Sequence, residues 1–186
     1  MNRPPAAKRA SDSRPALLAP STWVRRFAGR VPKRGRVLDL ACGGGRHTRY
    51  FLARGHPVVA LDRDVSGLSD LEAEPDLEIV QADLEDGSAF PLAGRRFEGV
   101  VVTNYLHRPI LAALADCVAP GGALIYETFA RGNERFGRPA NPDHLLKPGE
   151  LLEAVRGKLR VVAYEDRVVR RPWPAAVQRI CAVRDA

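Results

Sequence analysis

The run VLDLACGGGRHTRYF, residues 37–51, limits what this chain can fold into more than any other stretch. A short buried strand, Val37 to Leu40, stops at the three glycines Gly43, Gly44 and Gly45, and an amphipathic segment follows at once. Glycine costs backbone entropy and is used where φ must be positive or where something must approach the backbone closely. A strand that enters a glycine turn and leaves as a helix is a building unit of parallel α/β sheets, whose ligands gather at the carboxyl ends of the strands. Two phosphate-binding readings fail here. Thr48 stands where the third glycine of G-x-G-x-x-G belongs, and no Lys-Ser/Thr pair follows to make a P-loop.

The alternation continues through the chain. Ser21 is placed to cap a helix over residues 21–29 that carries Trp23, Val24 and Phe27 at helical spacing. A helix over 46–54 ends at Gly55, a strand over 57–61 ends at Asp62, and a short helix over 65–73 precedes a strand at 77–81. The run 97–103, centred on Val100, Val101 and Val102, is the most β-prone of all. A helix over 108–118, a turn at Pro120-Gly121-Gly122 and a strand over 123–128 follow. Residues 130–146 read as a long polar loop, and 145–155 contains a helix starting near Pro148. Two strand-like runs, 158–168 and 175–183, have no helix between them and so pair as an antiparallel hairpin joined by residues 170–174. The expected fold is α/β: a mostly parallel sheet with helices on both faces.

With 186 residues the chain suits one domain over 21–186, preceded by a Pro/Ala/Arg-rich flexible tail over 1–20 that lacks the apolar core of a secretory signal. No apolar run approaches a membrane span. Cys42, Cys117 and Cys181 are far apart and odd in number, which indicates neither disulfides nor a metal site and fits reduced thiols in the cytoplasm. The net charge of +7 leaves an anionic partner open, but only Arg25, Arg26, Arg30, Lys33, Arg34 and Arg36 form a cluster.

Val37-Leu38-Asp39 followed by Ala41, Gly43 and Gly45 resembles motif I of the class I S-adenosylmethionine (SAM) dependent methyltransferases, with alanine at the first glycine position. Alanine suits that position if its φ is negative. Asp62, Gln81-Ala82-Asp83-Leu84, Phe97 to Asn104 and Pro120-Gly121-Gly122 also resemble that family's later strand ends, in order. The GRH step after the glycines and the compact form are similar to small bacterial, TehB-like members. The resemblance implies a Rossmann-like, seven-stranded sheet with the terminal hairpin as strands six and seven. It implies SAM as cofactor, with Asp39 facing the ammonium, Gly43, Gly45 and Ala41 forming the loop at the carboxylate, and Arg46 beside it. It also implies Asp62 on the ribose, Asp83 and Leu84 on the adenine, and Asn104 at the cofactor's edge. His47, Trp23 and Phe27 are further candidates to line or close the pocket.

Methyl transfer is an in-line displacement that needs positioning first and a base only for acceptors protonated at pH 7. His107 and Tyr105, after the fourth strand, and Glu127, ending the fifth, are the catalytic candidates. The Asn/Asp-Pro-Pro-aromatic motif of base-methylating enzymes is absent, as Tyr105-Leu106 replaces the prolines. A small-molecule acceptor is the favoured partner, and the three arginines between 131 and 144 suit an anionic one. An RNA or protein acceptor docked on the basic surface, and a SAM-binding protein without turnover, are the alternatives. A monomer and a homodimer are both open.

Overall fold

A computed structural model describes residues 19–170 and 174–186. Residues 1–18 of the expected tail, and residues 171–173 of the hairpin connection, lie outside the described residues. Seven strands form one sheet: β1 (Val37–Leu40), β2 (Val58–Asp62), β3 (Leu77–Gln81), β4 (Phe97–Thr103), β5 (Val118–Phe129), β6 (Arg160–Val169) and β7 (Ala175–Val183). Their order is β3-β2-β1-β4-β5-β7-β6. The first five are parallel, and β7 runs antiparallel between β5 and β6. The expected hairpin therefore exists, but its second arm lies inside the sheet.

The strand pattern explains the layers. Successive side chains of a strand point to opposite faces. On β4, Val100 and Val102 join Leu38, Leu40 and Tyr126 in one apolar cluster, closed by helices α3 (Leu111–Asp116) and α4 (Glu150–Val155). Val101 and Ile125 join the other, closed by α1 (Thr22–Phe27) and α2 (Arg46–Leu52) through Trp23, Val24, Phe27 and Phe51. Each fully buried large side chain contributes about 1.5–3 kcal/mol of transfer free energy, so β1, buried at all four positions, needs both helical layers.

Several elements are shorter than expected. The 65–73 helix is a 3₁₀ turn, Ser66–Leu71, in which Gly67 packs against Gly44, where an added Cβ would lie 2.9 Å from Gly44 Cα. The 108–118 helix divides into a 3₁₀ turn, Arg108–Ile110, and α3, and Val118 already belongs to β5. The Pro120-Gly121-Gly122 turn is an irregularity within β5, where the register with β4 shifts between Phe97 and Gly99. Helix α4 starts after Gly149 (φ +75°), not at Pro148, because Leu145 and Leu146 are buried and Leu146 bridges to Ala130. That bridge closes the neck of the polar loop, which is folded and not slack: Asn133 is buried, donates to Pro139 O at 2.9 Å and accepts from Ala176 N at 3.2 Å.

Candidate functional site

The carboxyl ends of β2, β1, β4 and β5, with the segment after β3, enclose a cavity of about 610 Å³. Asp62 and Arg63 line it after β2, Asp83, Leu84 and Glu85 after β3, Ala41 after β1, and Asn104, Tyr105 and Leu106 after β4. Thr128 and Phe129 of β5 and, from the folded loop, Pro139 and His144 complete the wall.

Two parallel neighbours, β1 and β4, both end in left-handed residues at this cavity, Ala41 at φ +54° and Asn104 at φ +57°. The negative φ that would make alanine comfortable in the first glycine position is therefore not adopted. Ala41 carries strain of about 1–2 kcal/mol that a glycine would not. Beyond it, Gly43 (φ +52°) donates its N–H to Asp62 Oδ2 at 2.8 Å. Asp62 Oδ1 accepts the Asp64 N–H at 3.1 Å. Gly45 (φ +75°) opens α2, and a Cβ there would lie 2.2 Å from Leu68 Cδ2. The glycines thus serve two surfaces: Gly43 faces open space, whereas Gly44 and Gly45 are pressed against the Ser66–Leu71 turn.

Asp39 does not turn toward the cavity. Its Oδ2 accepts both the Thr48 N–H at 2.8 Å and the Thr48 hydroxyl at 2.6 Å, beneath the first turn of α2. Burial raises its carboxyl from 3.8 to about 6, against the hydrogen bonds from Thr48 and the charge of Arg46. Arg46 donates to Thr103 Oγ1 at 3.2 Å, and Gly43, Gly45 and Arg46 are not among the lining residues, although the exposed Gly43 adjoins the cavity through Asp62. His47 is buried and neutral: burial, then the charge of Arg46, lowers it from 6.5 to about 3. Its Nε2 accepts the Ser21 N–H at 3.1 Å, which leaves the proton on Nδ1, 3.5 Å from Thr103 Oγ1. Trp23 and Phe27 pack under α1, where Trp23 Nε1 donates to Ile180 O at 3.1 Å, and do not close over the cavity.

Among the catalytic candidates, Tyr105 lines the cavity. Its phenol is raised by burial and then by the charge and hydrogen bond of Glu85 beside it. Its carbonyl accepts from Tyr126 Oη at 2.9 Å. His107 flanks the Arg108–Ile110 turn and is not brought to the cavity wall. Glu127 is buried on the α1 side of the sheet, where it pairs with Arg179 and accepts the Ser21 hydroxyl at 2.8 Å. The sequence reading missed His144, Thr128, Phe129 and Glu85. Only the polar loop pointed toward His144, and nothing in the residue order separated it from its neighbours. Among the described residues, no group of acids, histidines and cysteines could hold a metal ion, and no helix is long and apolar enough to cross a membrane.

Residues 37–122 match a family described as "Methyltransferase domain". A malonyl-[acyl-carrier protein] O-methyltransferase of Pseudescherichia vulneris is 36% identical over 104 residues, 52% of this chain and 40% of its own. The chain spans about two fifths of the length of the first two curated relatives it matches. Among solved structures, TehB from Haemophilus influenzae superposes with a TM-score of 0.68 at 16% identity, over 86% of this chain and 61% of that one. The glycopeptide N-methyltransferase MtfA complexed with SAM superposes with a TM-score of 0.61 at 23% identity, over 96% of this chain and 100% of that one.

Proposed function

We propose that this chain, a member of the class I SAM-dependent methyltransferases, transfers a methyl group from S-adenosylmethionine to a small, uncharged acceptor. The observation that carries the reading is the continuous cavity from the acids after β2 and β3 to the exit of β5 and the folded loop. Its volume of about 610 Å³ is within the size of small-molecule sites.

The donor set suits the cofactor. Each oxygen of Asp62 accepts one N–H, and a carboxylate oxygen has two lone-pair directions, so both retain capacity for the ribose hydroxyls. Asp83 is an acceptor for the adenine amine, and Leu84, Tyr105 and Leu106 offer apolar surface to the ring. When bound, the cofactor supplies an electrophilic methyl carbon on a sulfonium. Asp62, Asp83 and Glu85, against Arg63, give the wall a negative balance that favours a cation and disfavours an anionic acceptor. Arg131, Arg135 and Arg138 are exposed on the loop and are not among the lining residues. Asp39, Gly45 and Arg46 shape and hold the loop from behind, while Ala41 and Asn104 form the wall between cofactor and acceptor. Tyr105 orients through its carbonyl and its Glu85 partner.

The catalytic unit in this reading is residues 21–186. Its three free, buried cysteines suit a reducing compartment such as the cytoplasm. A macromolecular acceptor has less support. Residues 31–36 lead into β1 beside the start of β4, where Arg36 N donates to Glu98, at the amino ends of the strands and so opposite the cavity. The test is calorimetric titration of the folded protein with SAM and with S-adenosylhomocysteine. Micromolar binding of either is expected, and binding of neither by a cooperatively folded sample sinks the reading.

A further inference from the structure

His144 is the single imidazole among the residues that line the cavity. Its side chain is exposed, yet the backbone on both sides of it is held. The Arg108 guanidinium donates to Asp143 O at 2.6 Å and to Leu145 O at 2.9 Å. Arg108 is itself fixed by Glu150, at 2.7 Å from Nε. Asn141 Oδ1 accepts the Asp143 N–H at 3.0 Å. Arg108 and Glu150, from two other elements, and Asn141, which caps the turn itself, thus hold the backbone at this position.

That position is on the acceptor side. The sheet order places β2 and β3 at one end of the cavity and β5 at the other, with β1 and β4 between. Asp62 and Asp83 belong to the first end, whereas His144 stands two residues before Leu146, whose N–H donates to Phe129 O at 3.0 Å, and so belongs to the second with Thr128 and Phe129. Phe129 and Pro139 make the wall around it partly apolar, which suits a planar neutral molecule.

We infer that His144 faces the transferring methyl from the acceptor side and serves acceptors whose nucleophilic O or N carries a proton at neutral pH. The inference rests on the methyltransferase reading above. The acceptor's lone pair forms the new bond to the methyl carbon as the C–S bonding pair passes to sulfur. His144 takes the proton that the acceptor atom gives up, and the imidazolium then returns it to solvent. A neutral imidazole is the proper form for this role, and imidazole is the side chain whose undisturbed titration falls between pH 5 and 8.

The charged and titratable groups that share the cavity with His144 are Asp62, Arg63, Asp83, Glu85 and Tyr105. Arg108, Asp143, Lys147 and Glu150 surround its own segment. The undisturbed titrations of these side-chain types lie outside pH 5.5–7. Asp39, behind the glycine loop, is raised by burial to about 6 and titrates alike in the parent and in variants of His144.

SAM carries a sulfonium charge that S-adenosylhomocysteine lacks, so the pair of ligands probes whether His144 faces the methyl. Calorimetric dissociation constants for both, measured at pH 5.5 and pH 7, where the α-amino groups of both ligands stay mostly protonated, give the ratio Kd(SAM)/Kd(S-adenosylhomocysteine). Protonated His144 repels only the sulfonium, so this ratio should rise about threefold or more at pH 5.5, an effect of the size expected for two charges within a Debye length. In His144→Gln, with His144→Asn as a second variant and melting curves to establish folding, the rise should shrink to the part that Asp39 leaves. A flat ratio in the parent protein with both ligands bound overturns the inference and leaves the methyltransferase reading standing. So does a rise that is undiminished in both variants, or one that vanishes instead in His107→Gln. Binding of neither ligand at either pH overturns both readings.

Discussion

Ser21 and Glu127, separated by 106 residues, share a hydrogen bond of 2.8 Å from hydroxyl to carboxylate. The same hydroxyl accepts the N–H groups of Trp23 and Val24, so one side chain caps α1 and fastens it to the exit of β5. Glu127 also pairs with Arg179 of β7, which lies over the Trp23 ring at 5.8 Å. A carboxylate in this setting binds elements together.

Glu127→Ala should therefore destabilise the fold by about 2 kcal/mol, because it takes away the nearer and more buried carboxylate of Arg179 and leaves it Glu165 alone, at 3.4 Å. Replacing both, as Glu127→Leu with Arg179→Met, should recover most of that loss. Urea denaturation of the two single variants and the double variant checks this. Additive effects would show that the pair is not coupled.

Asp39 gives the chain a pH signature. Its folded carboxyl titrates at about 6, above its ordinary 3.8, so the folded state holds this proton more tightly than the unfolded state. The contribution is fully present below about pH 4 and is lost as the pH rises through about 6. Asp39→Asn keeps an acceptor for Thr48 and does not titrate. Its stability relative to the parent should improve by about 2 kcal/mol between pH 4.5 and pH 7.5. Equal differences at the two pH values, measured by chemical denaturation, would contradict a raised carboxyl.

The glycine loop predicts a ranking. Ala41→Gly should stabilise by about 1 kcal/mol, as relief of the left-handed strain exceeds the added entropy of the unfolded chain. Gly43→Ala should cost about 1 kcal/mol, since only φ opposes it. Gly45→Ala should cost more, since its Cβ also meets Leu68. Melting of the three ligand-free variants orders them.

Asp62→Ala should weaken SAM at least tenfold, about 1.4 kcal/mol. It should also lower the melting temperature of the ligand-free protein slightly, because Gly43 and Asp64 lose an acceptor. Isothermal titration together with melting separates the two effects, and an unchanged SAM affinity would remove Asp62 from the ribose.

Strand ends were legible because β2, β3 and β4 are short β-prone runs with abrupt polar stops: Asp62, Asp83 and Asn104 all reach the cavity. Which face a strand-end side chain takes was less legible. Tyr126 and Thr128 turn to the layer of the cavity, and one step of the pleat sends Glu127 to the other. The φ of Ala41 was hidden for a related reason, because nothing local forbids either sign and the neighbouring strand decides it. The 65–73 segment is a 3₁₀ turn whose Gly67 meets Gly44, a pairing that no periodicity encodes. His144 escaped notice because its placement depends on Arg108, 35 residues from the Asp143 carbonyl it holds.

The position of β7 has a consequence for synthesis on the ribosome. β5 and β6 are both translated before β7, yet each is joined to the sheet on that side only through it. Until residues 175–183 emerge, the twelve-residue β5 is a bare edge and β6 has no neighbour to dock on. Exposed edges of this kind template wrong pairings between nascent chains. A ribosome stalled short of Ala175 would thus hold a parallel five-strand layer open to chaperones and to other chains, and the last strand translated among those described would act as the clasp.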